Sequence, residues 1–220
     1  MGVNRHQDYA YIGNAVPNNL HWLDVKKMRD AGFRIIRSAH YPQDPAFMDA
    51  CDELGMFIIV ATPGWQYWNP EPVFEERILS DIRNMVRRDR NHPSVLLWEP
   101  VLNETAFPES FAQNAYRATH EEYPAPGCYA AIDDKSKGAM GYDVVYTAPK
   151  NEAFYRNAGK SCFTREYGDC VDDWNSHNSY SRVAREWVKS HRFARPSTMP
   201  ARIMAALLRL ISSTNLLGGI

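Results

Sequence analysis

The run MFIIVA at residues 56–61 is continuously apolar and has the length of a β-strand. Such runs are typical of parallel strands that are buried on both faces of a sheet. A second run of this kind, SVLLW, occupies residues 94–98, and an amphipathic stretch at residues 74–88 separates the two. A helix that connects two buried strands forms a right-handed βαβ unit. This part of the chain therefore predicts a parallel sheet that is covered by helices.

The same alternation extends outward from this βαβ unit in both directions. The further strand candidates are residues 2–6, 34–37, 128–132, 143–146 and 161–165. There are three further helix candidates. The first begins at the N-cap candidates Asn18-Asn19, ends at Gly32 and has apolar residues at helical spacing, Leu20, Leu23, Met28 and Ala31. The other two are residues 45–54 and 109–122. Seven strands that alternate with helices or loops are compatible with two α/β architectures, a doubly wound sheet and a (β/α)8 TIM barrel.

The positions of the polar and aromatic side chains favour the barrel. The sequence has no GxGxxG or GxxxxGK[ST] motif after an early strand, as a doubly wound nucleotide site would require. Instead, polar and aromatic side chains follow the strand candidates: Arg5-His6, His40-Tyr41, Trp65 and Trp68, Asn103-Glu104, and Glu166-Tyr167. Functional groups at the carboxyl ends of many strands are typical of TIM barrels. We therefore expect a (β/α)8 barrel.

Composition excludes several classes of partner and site. The 220 residues are 45% hydrophobic and 23% charged, which is typical of a globular protein, and the net charge is −1. No global basic field favours nucleic acid or a membrane surface, and no apolar run reaches the roughly 18 residues of a membrane span. The four cysteines form no CxxC pair, so we expect reduced thiols and neither a metal site nor a cofactor. The N-terminus has no signal peptide, which favours a cytoplasmic location unless a further region precedes it.

The C-terminal stretch differs from the rest of the chain. No Asp or Glu follows Glu186, whereas five Lys or Arg residues do. Residues 199–211 could form a short amphipathic helix, but no eighth strand is recognisable. A barrel that lacks a strand has open edges. We therefore predict a partial barrel domain at residues 1–187 and an atypical basic tail at residues 188–220, as expected of a truncated barrel.

Two glutamates follow buried strands, Glu104 and Glu166. A pair of carboxyl groups at the mouth of one barrel suits glycosidic cleavage, in which one group donates a proton and the other attacks the anomeric carbon. Tryptophans such as Trp65, Trp68 and Trp98 can stack on a sugar ring. The alternative interpretation of the pair is two surface glutamates on unrelated loops. Separately, Trp98 has the barrel core as an alternative to sugar stacking.

Five motifs occur in the order in which one enzyme family carries them. They are GVNRHQD (residues 2–8), GFRIIRSAHYP (32–42), CDELG (51–55), DRNHPSVLLWEPVLNE (89–104) and EYG (166–168). Together they resemble the catalytic barrel of glycoside hydrolase family 2, the β-galactosidase and β-glucuronidase family. The resemblance covers about residues 2 to 170 and again implies a TIM barrel.

The resemblance also implies roles for individual residues. Glu104 would be the general acid/base, and Glu166 the nucleophile of a retaining reaction. Asn103 would bind the sugar 2-hydroxyl, and Arg37 would keep Glu166 ionised. The remaining substrate-binding candidates are His6, His40, Trp65 and Tyr146, of which Tyr146 would hydrogen-bond the nucleophile.

The sequence departs from the family pattern around these motifs. The link Glu99-Pro100-Val101-Leu102 before Asn103 is longer than expected, and Glu99 is a rival for the role of Glu104. Residues 61–65 contain no acidic metal ligand, which argues against a bound magnesium ion. The absence of an Asn-x-Lys motif makes a uronic acid substrate less expected than a neutral sugar.

These features predict an enzyme that hydrolyses terminal β-glycosides with retention, with a β-galactoside as the leading substrate. The alternatives are a β-glucuronidase or a β-mannosidase of the same family, or a non-catalytic barrel fragment with at most weak carbohydrate binding. The expected partner is a carbohydrate substrate, with no nucleic acid and no membrane.

Overall fold

A computed structural model describes residues 2–9, 11–147 and 159–165, and the chain divides into two units, Met1–Tyr146 and Thr147–Ile220. The strands and helices of the first unit are β1 (Gly2–Arg5), α1 (Asn18–Asp30), β2 (Ile35–Ser38), α2 (Pro45–Leu54), β3 (Phe57–Ala61), α3 (Pro72–Asp89), β4 (Val95–Glu99), α4 (Glu109–Glu122), β5 (Ala131–Asp133) and β6 (Val144–Tyr146), with a short 3₁₀ helix at Ala139–Gly141. The described part of the second unit contains β7 (Ser161–Phe163), and there the Thr147 N–H donates to the Phe163 carbonyl at 2.9 Å.

The strands of the first unit lie parallel and in chain order. β1, β2, β3 and β4 are consecutive neighbours in one sheet. A parallel bridge between Trp98 and Ala130 leads from β4 to the start of β5, which pairs in parallel with β6. A doubly wound sheet reverses its strand order at a switch point, and these six strands show no such reversal. The predicted (β/α)8 barrel is therefore confirmed, and the six strands of the first unit form part of one.

Helix α2 illustrates how local sequence sets the element boundaries. The Asp44 side chain accepts a hydrogen bond from the Ala46 N–H at 2.8 Å, which caps the helix, and Pro45 occupies its first turn. Gly55 ends the helix with φ 68°, a left-handed conformation that glycine adopts without strain. The predicted bounds of this helix are those of the structure.

Two apolar clusters lie between the strands and the helices of the first unit. The first cluster packs α1 and α2 against the sheet around fully buried Phe47, Met48 and Ile58. The second joins α3 and α4 through Ile82 and Phe111. Each buried side chain of this size contributes about 1.5–3 kcal/mol, so the carboxyl ends of the strands are held by a packed interior.

Two sequence predictions are wrong in detail. Helix α1 is preceded by Pro17 and has no side-chain cap, so Asn18 and Asn19 lie inside it. Strand β5 begins at Ala131 rather than at Cys128, because the Cys128 N–H is engaged in a turn by the Ala125 carbonyl at 3.3 Å. The predicted tail at residues 188–220 lies outside the described residues. None of the described helices is long and apolar enough to cross a membrane.

Helix α1 buries a histidine rather than the leucines that its spacing favours. His21 is fully buried, and its Nδ1 lies 3.2 Å from Nη2 of Arg5. Arg5 also bonds Asp24 at 2.9 Å and lies over the Phe47 ring. Because a guanidinium only donates, His21 Nδ1 accepts and the ring is neutral. Within the described residues, His21 Nε2 has no hydrogen-bond partner.

Burial and then the charge of Arg5 lower the pKa of His21 from its ordinary value, against weaker opposing effects of Asp44, Asp24 and the Val16 backbone. In the unfolded chain, His21 therefore becomes protonated below about pH 6.5, whereas in the folded chain it becomes protonated only at a lower pH. We expect the free energy of unfolding to be greatest above that pH and to decrease as the pH falls below it. Urea unfolding between about pH 8 and about pH 5 measures this slope.

His21→Gln should flatten the slope because it removes the titrating group. His120→Gln is the matched control, since His120 is partly exposed and pairs with Asp143 at 3.2 Å. An unchanged slope in the His21 variant would rule out this origin of acid sensitivity.

Candidate active site

A buried ion pair connects the ends of β2 and β4. Arg37 Nε donates to Glu99 Oε2 at 2.6 Å, and Arg37 Nη2 donates to Glu99 Oε1 at 2.5 Å. Arg37 is 3% exposed and Glu99 is 1% exposed. The Tyr146 hydroxyl at the end of β6 donates to Glu99 Oε2 at 3.3 Å. Side chains from three strands therefore meet at one carboxylate.

Arg37 also holds the residues that follow the strands. Its Nη2 donates to Asn103 Oδ1 at 3.2 Å and lies 3.3 Å from His40 Nδ1. Asn103 Nδ2 in turn lies 3.5 Å from His40 Nε2. The Asn103 carboxamide thus presents its oxygen to Arg37 and its amino group toward His40.

The loops after β2, β3 and β4 are joined by backbone hydrogen bonds beyond the strands themselves. The Gly64 N–H donates to the His40 carbonyl at 3.4 Å, and the Asn103 N–H donates to the Gly64 carbonyl at 3.3 Å. The Gln66 N–H donates to the Asn103 carbonyl at 3.0 Å. These bonds continue the parallel sheet into the loops and fix the positions of Trp65 and Glu104 on either side of Asn103.

Glu104 is exposed and held by one neighbour from the β3 loop. Gln66 Nε2 donates to Glu104 Oε2 at 2.7 Å. Both residues have left-handed backbone conformations, with φ 58° at Gln66 and φ 48° at Glu104. Such conformations are strained in residues other than glycine and occur often at functional sites. An accessible carboxyl group in a fixed loop can exchange a proton with a ligand.

Rings surround the accessible side of this cluster. His40 lies 5.6 Å from His6 and 5.9 Å from Trp65, measured between ring centroids. His6 is exposed, and Trp65 is 50% exposed. This surface offers an aromatic face beside polar ring nitrogens, a combination that suits the apolar face and the hydroxyl groups of a sugar.

The structure thus brings together seven of the eight predicted site residues. They are Arg37, His40, Asn103, Glu104, His6, Trp65 and Tyr146. The eighth, Glu166, lies outside the described residues, so the predicted contacts of Arg37 and Tyr146 with it stay predictions. Among residues 2–9, 11–147 and 159–165, no group of three or more His, Cys, Asp or Glu side chains could hold a metal ion.

Two of the tryptophans named as candidates for sugar stacking pack inside the protein, and for Trp98 the barrel core was the stated alternative. Trp68 packs on Phe111 at 4.8 Å and on Phe74 at 5.4 Å, so it belongs to the helix interface. Trp98 is 1% exposed and lies in the core. Sugar stacking by either residue is therefore not supported, whereas Trp65 is accessible.

Glu99 is not equivalent to Glu104, although the sequence made the two rivals. Glu99 is buried with both carboxylate oxygens bonded, whereas Glu104 is exposed. Sequence analysis missed Glu99 as the partner of Arg37. The available signal was a charged residue directly after the buried run SVLLW, since a buried carboxylate requires a counter-charge.

Comparisons with known proteins agree with this geometry. Curated relatives include a β-galactosidase of Thermoanaerobacterium thermosulfurigenes, 38% identical over 125 residues that are 56% of this chain and 17% of the relative. They also include a putative β-glucuronidase of Formosa agariphila, 33% identical over 44% of this chain and 12% of the relative. The chain thus spans less than a fifth of the length of these relatives.

Solved structures resemble the chain as well. A family 2 β-galacturonidase from Eisenbergiella tayi, bound to galacturonate, is 29% identical with a TM-score of 0.58, and the match covers 66% of this chain and 28% of that one. A β-glucuronidase from Bacteroides uniformis is 22% identical with a TM-score of 0.65 over 78% of this chain and 25% of that one, which supports the fold alone. Residues 1–125 match the family described as glycosyl hydrolases family 2, TIM barrel domain. Since this match covers more than half of the sequence, the chain belongs to glycosyl hydrolase family 2 and carries part of its TIM barrel domain.

Proposed function

We propose that this chain carries the catalytic residues of a retaining β-glycosidase. The observation that carries the proposal is the position of Asn103 and Glu104 in the loop that follows β4. Asn103 is held by Arg37, and Glu104 is exposed beside the loop that presents Trp65. A hydroxyl-binding amide next to an accessible carboxyl group is what an acid/base site for a glycoside requires.

In the proposed mechanism Glu104 donates its proton to the glycosidic oxygen as the bond to the anomeric carbon breaks. The carboxylate of Glu166 attacks that carbon and forms a glycosyl ester, and the aglycone leaves with the proton. Glu104, now ionised, removes a proton from water, which attacks the ester and releases Glu166. Two inversions give net retention, for which the two carboxyl groups should lie about 5–5.5 Å apart.

A β-galactoside is the leading substrate because the β-galactosidase reported above is 38% identical to this chain over the matched residues, against 33% for the putative β-glucuronidase. A β-galacturonide is a second candidate, favoured by the solved structure at 29% identity whose ligand is galacturonate. Both sugars have an axial 4-hydroxyl and differ at carbon 6. The buried Arg37 is already paired with Glu99 and lies next to Asn103, so it does not favour the carboxylate form of the sugar.

A panel of nitrophenyl β-glycosides tests the function. The panel contains the galactoside, galacturonide, glucuronide and mannoside. We expect the galactoside to be hydrolysed fastest, and NMR of the first turnovers should show the β-anomer of the sugar. An α-anomeric first product would contradict retention. Absence of turnover on all four substrates would favour the non-catalytic fragment.

Gln66 should support the acid/base residue. Gln66→Ala removes the hydrogen bond that holds Glu104. The exposed Glu104 side chain can then turn, although the reaction needs it in one orientation. A hydrogen bond to a charged group contributes about 1.5 kcal/mol at the lower end, so we expect kcat/KM to fall about ten-fold. The control is Gln113→Ala, because Gln113 bonds the carboxylate of Glu109 at 3.3 Å on an exposed face of α4. Equal kcat/KM values for the two variants would show that Gln66 does not assist Glu104.

A further inference from the structure

We propose that Glu99 is a positioning residue that orients the Asn103 amide toward the substrate through Arg37. The proposal rests on the proposed function and adds a residue that does not itself touch the sugar. In this proposal, the buried Arg37–Glu99 ion pair increases the preference for glycosides that have a hydroxyl at carbon 2.

Glu99 cannot act on the substrate directly. It is 1% exposed, its Oε1 accepts from Arg37 Nη2, and its Oε2 accepts from Arg37 Nε and the Tyr146 hydroxyl. A carboxylate with both oxygens bonded inside the barrel does not exchange protons with a ligand at the surface. Its effect must therefore pass through the groups that it holds.

Arg37 is fixed by this contact. The two parallel hydrogen bonds to Glu99 form the bidentate arrangement that holds a guanidinium in one plane. A long side chain with many rotamers loses much of its rotational freedom in such a contact. In the fixed orientation, Nη2 reaches both Asn103 Oδ1 and His40 Nδ1.

Arg37 in turn determines which end of the Asn103 amide faces outward. A carboxamide has two orientations that exchange its oxygen and its amino group. The Arg37 guanidinium has only N–H donors, so the end of the carboxamide that faces it must be the oxygen, which accepts. The amino group then points toward His40, and it is this donor end that the proposed function assigns to the sugar 2-hydroxyl. Buried Leu102, directly before Asn103, anchors the backbone at this point.

The test compares two substrates on one variant. Kcat/KM is measured for an aryl β-glycoside and for its 2-deoxy analogue on the wild-type chain and on Glu99→Gln. If Glu99 acts through Asn103, the variant should lose about 100-fold on the glycoside and about ten-fold or less on the 2-deoxy analogue, so that the discrimination falls about ten-fold. The intrinsic reactivities of the substrates cancel because the same pair is used on both proteins. Equal losses on both substrates would overturn the proposal.

Asp52→Asn is the matched control, because Asp52 lies on α2 and contacts the residues that precede β4, away from Glu99 at the carboxyl end of that strand. Asp52 accepts from the Ser94 N–H at 3.0 Å and lies 2.6 Å from His92 Nδ1, just before β4 begins. This variant should leave the discrimination unchanged even if it unfolds more easily. If Glu99→Gln does not fold, Glu99→Asp keeps the charge but shortens the side chain, and the same loss of discrimination is expected to a smaller extent.

A spectroscopic measurement separates this proposal from the proposed function. In ¹H–¹⁵N spectra, the Asn103 side-chain amide, assigned with Asn103→Asp, should shift in Glu99→Gln and stay in place in Asp52→Asn. This readout needs no turnover, so an inactive wild-type chain would count against the glycosidase function alone. An Asn103 amide resonance that does not respond to Glu99→Gln would refute the positioning role.

Discussion

Glu166→Gln is expected to abolish turnover of every glycoside in the panel. An amide oxygen is a much weaker nucleophile than a carboxylate and cannot stabilise the developing positive charge at the anomeric carbon. We expect kcat to fall by about 10⁴-fold or more, toward the uncatalysed rate. The measurement is the release of nitrophenol by the variant beside the wild-type chain at equal concentration.

Glu53→Gln provides the control for this variant, because Glu53 lies exposed on α2 and makes the same change of charge. Glu166→Gly gives a sharper test when azide is added. Azide can then occupy the space of the missing carboxylate and attack the anomeric carbon from that face, so the product should be the α-glycosyl azide. Formation of the β-glycosyl azide by this variant would assign Glu166 to a role other than nucleophile.

The pattern of apolar runs predicted a parallel sheet covered by helices, and the polar residues after the strands selected the barrel over a doubly wound sheet. The run at residues 56–61 contains β3, and the run at residues 94–98 contains all of β4 except its last residue. Both runs are apolar because one face of a barrel strand packs against the helices and the other packs inside the barrel. The predicted start of strand β5 was too early. The strand has only three residues, so its apolar pattern is not separable from that of the turn before it. Periodicity alone does not resolve such a boundary, which depends on the turn hydrogen bond at Cys128.

The candidate site was predictable as far as it consists of residues in the loops that follow strands. Asn103 and Glu104, in the loop after β4, are of this kind. The pairing of Arg37 with Glu99 was not predictable, because it joins residues 62 positions apart and depends on the register that aligns Glu99 with Ala61. A buried arginine and a buried glutamate signal only that each needs a partner, and the fold decides which one.

Tertiary packing also decided which aromatic side chains are available to a ligand. Trp65 and Trp68 lie in the same loop, yet one is half exposed and the other packs on Phe111. No helical or strand period applies within a loop, so the sequence could not assign either residue to a face. The backbone hydrogen bonds between the Gly64 and Asn103 segments supply the missing constraint.

Glu104→Ala is expected to affect substrates according to their leaving groups. Loss of the general acid should lower kcat/KM by about 10²–10⁴-fold for an alkyl or sugar aglycone, whose oxygen needs a proton to leave. A dinitrophenyl glycoside should be largely spared in kcat/KM, because dinitrophenolate leaves as a stable anion. The measurement is kcat/KM across a series of aglycones of decreasing acidity, and the control is Glu109→Ala on the exposed start of α4.

The second half of the cycle gives this variant an additional signature. Without Glu104 no base activates water, so the glycosyl ester on Glu166 should accumulate and kcat for the dinitrophenyl substrate should fall even though kcat/KM does not. Azide needs no base, and it attacks the ester from the face opposite Glu166, so it should restore kcat and give the β-glycosyl azide. If leaving-group acidity made no difference to the variant and azide gave no β-product, the exposed carboxyl group beside Gln66 would not be the acid/base. Because Glu166→Gly and Glu104→Ala are expected to give opposite anomers with the same reagent, the two products together assign each carboxylate to its own face of the sugar.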